Sequence, residues 1–358
     1  MLYHVIITDK CQLRCRYCGG GMRTGPRRYD LETLKEFLSD DPEAGIGFYG
    51  GEPLMAMDEM MRIMDEIPAR YFHLQTNGLL LPHLPTEYLK RLTTILISVD
   101  GNEEITDYYR GRGVYKAVMG ALKDIRERGY KGDVVARMVI SSRSDVYRDV
   151  KHLWRMENPG FDHVHWQLDV FWSTEGTWED VDFDGWIERY NDGITRLAEE
   201  WMEGIRKGRV GGIAPFQGVM YTVLTRIPVD LRCGAGRDAF AIHPNGTVMA
   251  CPISPEFSFN LLGEINGRRS HDFINSVELD EPCRSCDIRW VCGGRCLFAN
   301  KTKLWGEEGF RKVCETVRHL VRTMEGYREE VWGLIGDGVV SLDDFFYPWV
   351  NNGVEVIP

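Results

Sequence analysis

Short apolar runs alternate with amphipathic stretches through the first two hundred or so residues, and this alternation limits the folds open to the chain. Amphipathic stretches such as "YKAVMGALKDIRERG" and "DVYRDVKHLWRM" place apolar residues three and four positions apart, which predicts helices with one buried face. The strand candidates are "YHVII", "GIGFYG", "YFHLQT", "TILISV", "DVVARMVI" and "HVHWQLDVF". Six such β-then-α units predict a parallel sheet. Right-handed crossovers curl it into a partial (β/α)6 TIM-like barrel of the α/β class, with functional loops at the carboxyl ends of the strands.

The alternation stops after a longer helical stretch, where Gly-rich residues 209–218 interrupt the pattern. We expect the barrel over residues 1–210, a small cysteine-rich domain over 211–320, and a C-terminal helix with an aromatic tail over 321–358. Seven of the ten cysteines lie from Cys233 to Cys314, in a region rich in Gly, Pro and Arg, so metal ligation rather than a large apolar core is expected to stabilise it. For the tail, packing against the barrel is favoured over substrate binding.

Composition disfavours several classes of partner. The formal net charge is −11 without any block of like charges, which argues against an electrostatic grip on nucleic acid. No apolar run is long enough for a membrane span, and the N-terminus "MLYHVIITDK" lacks the features of a signal peptide. We therefore expect a cytoplasmic protein. In that reducing compartment ten cysteines indicate metal binding rather than disulfides.

The segment "CQLRCRYC" places Cys11, Cys15 and Cys18 directly after the first strand candidate. A [4Fe–4S] cube has four irons, so three thiolates leave one iron to bind another ligand. Structural zinc is the alternative, but it usually takes four ligands at paired C-x2-C spacing, and no nearby Cys or His completes that pattern. The spacing favours the cluster and leaves zinc open.

Cys-x3-Cys-x-aromatic-Cys after the first strand of a βα barrel resembles the signature loop of radical S-adenosylmethionine (SAM) enzymes. The resemblance implies that the amino and carboxylate groups of SAM chelate the open iron and that Tyr17 contacts the nucleoside. It also implies that an electron from the cluster cleaves SAM to methionine and a 5′-deoxyadenosyl radical, which abstracts hydrogen from an unactivated carbon. No catalytic side chain is assigned beyond this cluster.

Motifs at later strand ends agree with the resemblance. "GGEP" is similar to the family's GGE motif, which receives the ammonium of SAM, although a lone tetrapeptide of this kind is more typical of a turn. Ser98 and Arg110 resemble a Ser and an Arg that bind SAM in sulfatase-maturing and related branches, with a surface salt bridge as the alternative for Arg110. The other SAM-site candidates are Gly50, Gly51 and Glu52 of the motif, Gln75 and Asn77 after the third strand, Arg137 in the fifth, and Leu168 beside adenine at the sixth.

The remaining seven cysteines match the pattern of the SPASM domain, which is named for several peptide-modifying maturases. A zinc ribbon is the alternative and accounts for six of them at best. By position, the resemblance implies two auxiliary [4Fe–4S] clusters, the first held by Cys233, Cys251 and Cys296 and the second by Cys283, Cys286, Cys292 and Cys314. Some relatives carry a further Cys ligand for the first of these clusters, at the position where this chain has Ala239. That cluster is therefore expected to have an open iron, a ligand such as Asp238, or a substrate-derived ligand.

These likenesses imply an anaerobic peptide maturase with three [4Fe–4S] clusters and SAM, similar to those of methanogenic archaea. Its expected partners are a ribosomal precursor peptide and a ferredoxin- or flavodoxin-like reductant, and its expected products are oxidised rings or cross-links, cyclopropanes on Val or Ile among them. A sulfatase-maturing, formylglycine-generating enzyme is one alternative, weakened because Pro252 stands where that branch carries an Asp. An iron–sulfur electron carrier without catalysis is the other, and the SAM-facing motifs argue against it.

Overall fold

The computed structural model describes the 358-residue chain except residues 19–24, 26, 170–177, 179–180, 254 and 349–356. Within the described residues the strands are β1 (Leu2–Thr8), β2 (Gly45–Gly50), β3 (Tyr71–Thr76), β4 (Leu92–Ser98), β5 (Asp133–Ile140), β6 (His163–Leu168), β7 (Ala239–Ile242), β8 (Thr247–Met249) and β9 (Leu261–Glu264). They form one sheet in the order β6-β5-β4-β3-β2-β1-β7-β8-β9. The first six are parallel to their neighbours, which confirms the predicted α/β partial barrel.

Most barrel strands are covered on both faces. In β4, Ile95, Leu96 and Ile97 are all buried, although successive side chains point to opposite sides of the sheet. A parallel sheet with both faces covered selects a continuous apolar run rather than strict alternation. This is why "TILISV" reads as a strand without a period of two.

The helices surround the sheet and bury one face each. In the helix over Val114–Glu127, Val118, Leu122 and Ile125 are fully buried and recur at spacings of four and three. Asn102 and Asp145 cap two of the helices, each side chain accepting a backbone N–H one turn ahead, a contact that contributes about 1 kcal/mol to a helix. The helices are α1 (Leu31–Phe37), α2 (Met57–Glu66), α3 (Thr86–Leu89), α4 (Glu103–Arg110), α5 (Val114–Glu127), α6 (Val146–Trp154), α7 (Phe183–Ile205), α8 (Ala214–Thr225), α9 (Arg289–Cys292), α10 (Leu297–Thr302), α11 (Gly306–Gly326) and α12 (Arg328–Gly336).

The cysteine-rich region extends the barrel sheet. Strand β7 pairs in parallel with β1, with Leu2 opposite Ala239, and β8 and β9 continue the sheet as antiparallel strands. The predicted division at residue 210 therefore crosses a continuous sheet. The predicted interruption over residues 209–218 is too long, because α8 begins at Ala214. Pro215 fits the first turn of that helix, where a missing N–H costs nothing.

The described part of the aromatic tail packs on the barrel, as expected. Phe345 is fully buried, and Tyr347 donates a hydrogen bond to Asp133 Oδ2 at 3.0 Å. The ring of Tyr347 also lies 4.5 Å from that of His163, at the start of β6. Residues 349–356 of the tail lie outside the described residues. No helix in the described ranges is long and apolar enough to cross a membrane.

Candidate active site

The N-terminal cysteine loop follows β1 at the carboxyl end of the barrel strands. Cys18 N donates to Cys15 O at 3.0 Å and closes a turn, while Leu13 N donates to Cys11 Sγ at 3.4 Å. Burial raises the pKa of Cys15 to about 11; Arg110 opposes the shift, and Cys18 and Cys11 add to it. The three thiols are therefore neighbours. Deprotonating Cys15 at neutral pH requires a compensating positive charge, which a bound metal supplies.

The "GGEP" turn lies against this loop and needs its glycines. Gly50 has a φ of +134°, and a Cβ there would lie 2.3 Å from the Thr8 carbonyl oxygen. A Cβ on Gly51 would lie 2.4 Å from the Lys10 carbonyl oxygen, a distance that real Cβ atoms do not reach. Glu52 N donates to that same Lys10 oxygen at 2.8 Å. The close approach of the two segments thus fixes where the cysteine loop begins.

The Glu52 side chain joins β2 to β3. Its fully buried carboxylate accepts hydrogen bonds from Asn77 N at 2.7 Å, Thr76 Oγ1 at 2.8 Å and Leu54 N at 3.1 Å. A carboxylate offers about four acceptor positions, so three of them are used inside the protein. Burial raises the pKa of Glu52, and the hydrogen bonds oppose the shift. Asn77 is also near the loop, with its Nδ2 3.8 Å from Cys11 Sγ.

A buried carboxylate that the sequence analysis missed organises the opposite side of the loop. Asp100 is fully buried and accepts hydrogen bonds from Tyr17 Oη at 2.6 Å and from Val139 N at 2.9 Å. Arg110 binds it through two donors, Nε and Nη2, each at 2.8 Å. Arg110 therefore forms an ion pair, but a buried one, with side-chain exposures of 8% for Arg110 and 0% for Asp100. The sequence does show this residue, as the Asp of "SVDG" in the turn between β4 and α4.

The other predicted SAM contacts are spread along the strand ends. Ser98 is half-buried at the end of β4, and Gln75, in β3, hydrogen-bonds to Tyr49. The Leu168 side chain is 1% exposed and belongs to the main hydrophobic core, which leaves its backbone for any contact with adenine. The Tyr17 ring packs 5.4 Å from that of Tyr109. The SAM contacts of these residues remain predictions.

Tyr49 in β2 and Arg137 in β5 are barrel residues that are electrostatically coupled to cysteines. Tyr49 is electrostatically coupled to Arg137, Cys251 and Cys18. Arg137 is 6% exposed and bonds to His165, and no carboxylate in the described part of the chain forms an ion pair with it. Burial lowers the pKa of Arg137 to about 10, with Tyr49 among the groups that oppose the shift. The interior of the barrel thus holds a cation without an acidic partner among the described residues.

The seven C-terminal cysteines fall into two groups of mutual neighbours. In the first, burial raises the pKa of Cys233 to about 12, with Cys296 adding to it, and burial followed by Cys296 and Cys233 raises the pKa of Cys251. In the second group, burial raises the pKa of Cys292 to about 12 and that of Cys314 to about 11, and Cys283 adds to both shifts. This second group consists of Cys283, Cys286, Cys292 and Cys314. The four thiols of the second group line one cavity, which Cys296 also lines, and the division into two ligand sets remains a prediction.

The donor atoms of these groups bear on the kind of metal site that they suit. In the part of the chain that the structure describes, no three Cys, His, Asp or Glu side chains are close enough to share one metal ion. A structural zinc ion needs four ligands, with sulfur about 2.3 Å from the metal. An iron–sulfur cluster instead binds each thiolate at a different iron. Groups of three or four thiols without histidine are the donor set of an iron–sulfur cluster, and Cys233, Cys283 and Cys292 among them are buried.

Asp238, the predicted non-cysteine ligand of the first auxiliary cluster, has an exposed side chain. Its carbonyl oxygen accepts a hydrogen bond from Leu2 N at 2.8 Å and so helps to join β7 to β1. Ala239, at the position of the further Cys in some relatives, is buried as the first residue of β7. Arg137, in the barrel, is also coupled electrostatically to Cys233 of this first group.

Comparison with known proteins identifies the barrel. Residues 5–143 match the radical SAM superfamily. These residues form a radical SAM domain. Such a domain holds a [4Fe–4S] cluster and SAM, and Cys11, Cys15 and Cys18 are the residues of this chain that would hold the cluster.

Several relatives extend the likeness beyond the radical SAM domain and over most of this chain. An uncharacterised protein of Archaeoglobus fulgidus is 28% identical over 324 residues, which are 81% of this chain and 72% of that protein. The radical SAM cyclopropyl synthase TigE of Paramaledivibacter caminithermalis is 20% identical over 365 residues, 89% of this chain and 73% of that protein. The PqqA peptide cyclase of Bradyrhizobium diazoefficiens is 26% identical over 322 residues, 81% of this chain and 79% of that protein.

A solved structure shares the fold across both regions. The structure of anSMEcpe with bound AdoMet and Cp18Cys peptide superposes on this protein with a TM-score of 0.67 at 18% identity. The superposition covers 94% of this chain and 99% of the anSMEcpe chain. The common fold therefore includes the cysteine-rich extension of the sheet as well as the barrel.

Proposed function

We propose that this radical SAM protein is a peptide maturase that oxidatively modifies a residue of a ribosomally made peptide. The observation that carries the proposal is that one barrel residue, Tyr49, is electrostatically coupled to thiols of two different groups. Cys18 belongs to the N-terminal loop, and Cys251 belongs to the first C-terminal group. A peptide residue between them would be in reach of both groups.

The chain's own residues hold the parts of this site. The glycines of "GGEP" and the Glu52 carboxylate fix the cysteine loop against β3. Asp100 holds Tyr17 and Arg110 beside that loop. When bound, the cluster and SAM supply a 5′-deoxyadenosyl radical that abstracts hydrogen from carbon. The protein supplies position, burial and charge.

Relatives support a peptide substrate and an oxidative outcome. PqqA peptide cyclase and TigE cyclopropyl synthase, by their names, close rings, and anSMEcpe has been solved with a peptide. Closing a ring by joining two atoms removes two hydrogens, so the reaction needs an electron acceptor. We propose that the two C-terminal thiol groups hold auxiliary [4Fe–4S] clusters with that role. A ring or cross-link, a cyclopropane on Val or Ile among the candidates, is the proposed product.

Within this proposal Arg137 contacts the peptide. It is electrostatically coupled to Cys233 and Tyr49, whereas Arg110 is the arginine coupled to Cys15. A buried guanidinium without an acidic partner is costly, and a carboxylate of the bound peptide would offset that cost. A ferredoxin- or flavodoxin-like protein is the proposed reductant, and the reducing cytoplasm, where thiols stay available for clusters, is the proposed location.

The first test concerns SAM cleavage. Anaerobically reconstituted protein supplied with dithionite and SAM should release 5′-deoxyadenosine, whereas Cys15→Ala should abolish the release. The matched control is Cys314→Ala, which should remove iron from the C-terminal region and leave some SAM cleavage. Intact clusters without any 5′-deoxyadenosine would indicate an electron carrier instead.

The second test concerns the product. The protein should be co-expressed with a short peptide encoded beside its gene, and the peptide should then be analysed by mass spectrometry. Loss of two hydrogens supports ring or cross-link formation. Conversion of a Cys or Ser to formylglycine would favour the sulfatase-maturing alternative, and an unchanged mass would contradict oxidation.

A further inference from the structure

One arginine contacts a sulfur of the second C-terminal thiol group. Arg318 follows Cys314 by four residues on α11, so both lie on the same face of the helix. From there Arg318 Nη2 donates to Cys286 Sγ at 3.2 Å. Arg318 and Cys286 line the same cavity, together with the other thiols of the group.

Asp287 holds this guanidinium in place. Arg318 Nη1 donates to Asp287 Oδ2 at 3.0 Å and Nη2 donates to Oδ1 at 2.5 Å. Because Asp287 directly follows Cys286, the carboxylate aims the guanidinium at the neighbouring sulfur. The Arg318 side chain is 29% exposed and that of Asp287 is 72% exposed, so water screens the ion pair, whereas the contact with sulfur is partly buried.

A second arginine near the same thiols lacks this contact and serves as a comparison. Arg289 is electrostatically coupled to Cys283, and its side chain is 34% exposed. It donates hydrogen bonds to the Arg284 carbonyl oxygen at 3.3 Å and to Asp230 Oδ1 at 3.2 Å rather than to a sulfur. The two arginines thus carry the same charge at similar exposure and differ in the hydrogen bond to a cluster ligand.

Hydrogen bonds and positive charge at the ligand sulfurs favour the reduced, more negative state of an iron–sulfur cluster. We propose that Arg318 is a positioning residue that raises the reduction potential of the second auxiliary cluster through its hydrogen bond to Cys286, with Asp287 fixing its orientation. The step concerned is the uptake of one electron by the oxidised cluster, with no bond made or broken. The inference rests on the proposed function only in taking Cys283, Cys286, Cys292 and Cys314 as the ligands.

The test is a potentiometric titration of the full-length, anaerobically reconstituted protein, followed by electron paramagnetic resonance. Arg318→Gln should lower the midpoint potential of one cluster by about 59 mV, which corresponds to a tenfold change in its one-electron reduction equilibrium. The potentials of the other clusters should stay unchanged. Arg289→Gln removes the same charge and should produce a clearly smaller shift. Arg318→Lys keeps the charge without the two-donor fork and should give an intermediate value.

Iron content is measured on every variant before titration. An Arg318→Gln protein with full iron and an unshifted potential, or with the same shift as Arg289→Gln, would overturn the inference. If Arg318→Gln fails to take up iron, Arg318→Lys decides in its place, and an unshifted potential there counts equally against it. Cys286→Ala separates the two proposals, because unchanged cluster spectra in that variant would refute the ligand set rather than the role of Arg318.

Discussion

Replacing Asp100 with Asn is the most direct test of the site's architecture. The fully buried carboxylate accepts four hydrogen bonds, two of them from Arg110, and a neutral amide cannot compensate that charge. Removing one partner of a buried ion pair costs about 3 to 5 kcal/mol, because the other charge stays buried and unpaired. We expect the free energy of unfolding to fall by about that amount.

The chain contains a matched exposed triad. Asp65 accepts hydrogen bonds from Tyr88 Oη at 2.7 Å and Arg91 Nη1 at 2.5 Å, which reproduces the Tyr, Arg and Asp chemistry at the surface. The Asp65 side chain is 50% exposed, so water solvates Arg91 and Tyr88 when the charge of the carboxylate is removed. Asp65→Asn should leave stability almost unchanged.

The assay is denaturant unfolding of both variants under anaerobic conditions with matched iron content, together with release of 5′-deoxyadenosine. Asp100→Asn should shift the midpoint strongly and reduce SAM cleavage, since Tyr17 and Arg110 lose their common anchor beside Cys15. If Asp100→Asn is no more destabilising than Asp65→Asn, burial does not govern this ion pair and the reasoning is wrong.

Three further predictions follow from the same geometry. Gly51→Ala forces a methyl group against the Lys10 carbonyl oxygen and should lower iron content and SAM cleavage. The control is Gly120→Ala, in open space on α5, which should raise helix stability by up to about 1 kcal/mol. Equal iron content in the two variants would contradict the close approach of Gly51 to Lys10. Arg137→Gln should raise the KM for the peptide about tenfold or more and leave peptide-independent 5′-deoxyadenosine release unchanged, as expected for a lost charge-assisted hydrogen bond; a loss of SAM binding instead would assign Arg137 to the cofactor. In iron-free protein, burial raises the pKa of Cys15 to about 11, so its alkylation rate, followed by mass spectrometry, should rise with pH up to about that value, and a plateau near pH 8 would disprove the burial.

The barrel was predictable because its signals are long and local. Parallel strands buried on both faces must be apolar throughout, as Ile95 to Ile97 are, and helices such as α5 keep one buried face over several turns. The strands β7, β8 and β9 have four, three and four residues, too short for a periodic pattern, so the continuation of the sheet past residue 210 had no such signal.

The candidate site was predictable where cysteine spacing carries the chemistry and not where tertiary contacts do. Asp100 stands in "SVDG", which reads as a turn, and only the fold brings Tyr17 and Arg110 to it. The contact of Arg318 with Cys286 joins residues 32 positions apart and depends on how α11 packs. Conversely, Leu168 lies at a strand end as expected, yet packing turns its side chain into the core.

The pairing of β7 with β1 also sets the spacing between the N-terminal cysteine loop and the segment that carries Cys233. Cys11 comes six residues after Val5 and Cys233 six residues before Ala239, and the register that joins these strands runs from Leu2 opposite Ala239 to Val5 opposite Ile242. A slip of one residue would displace the two thiol-bearing segments by about 3.3 Å. A hinge between barrel and extension would have to break these backbone hydrogen bonds. A β-ladder therefore fixes the distance between the two thiol-bearing segments, and with it the distance that an electron would cross between the proposed clusters.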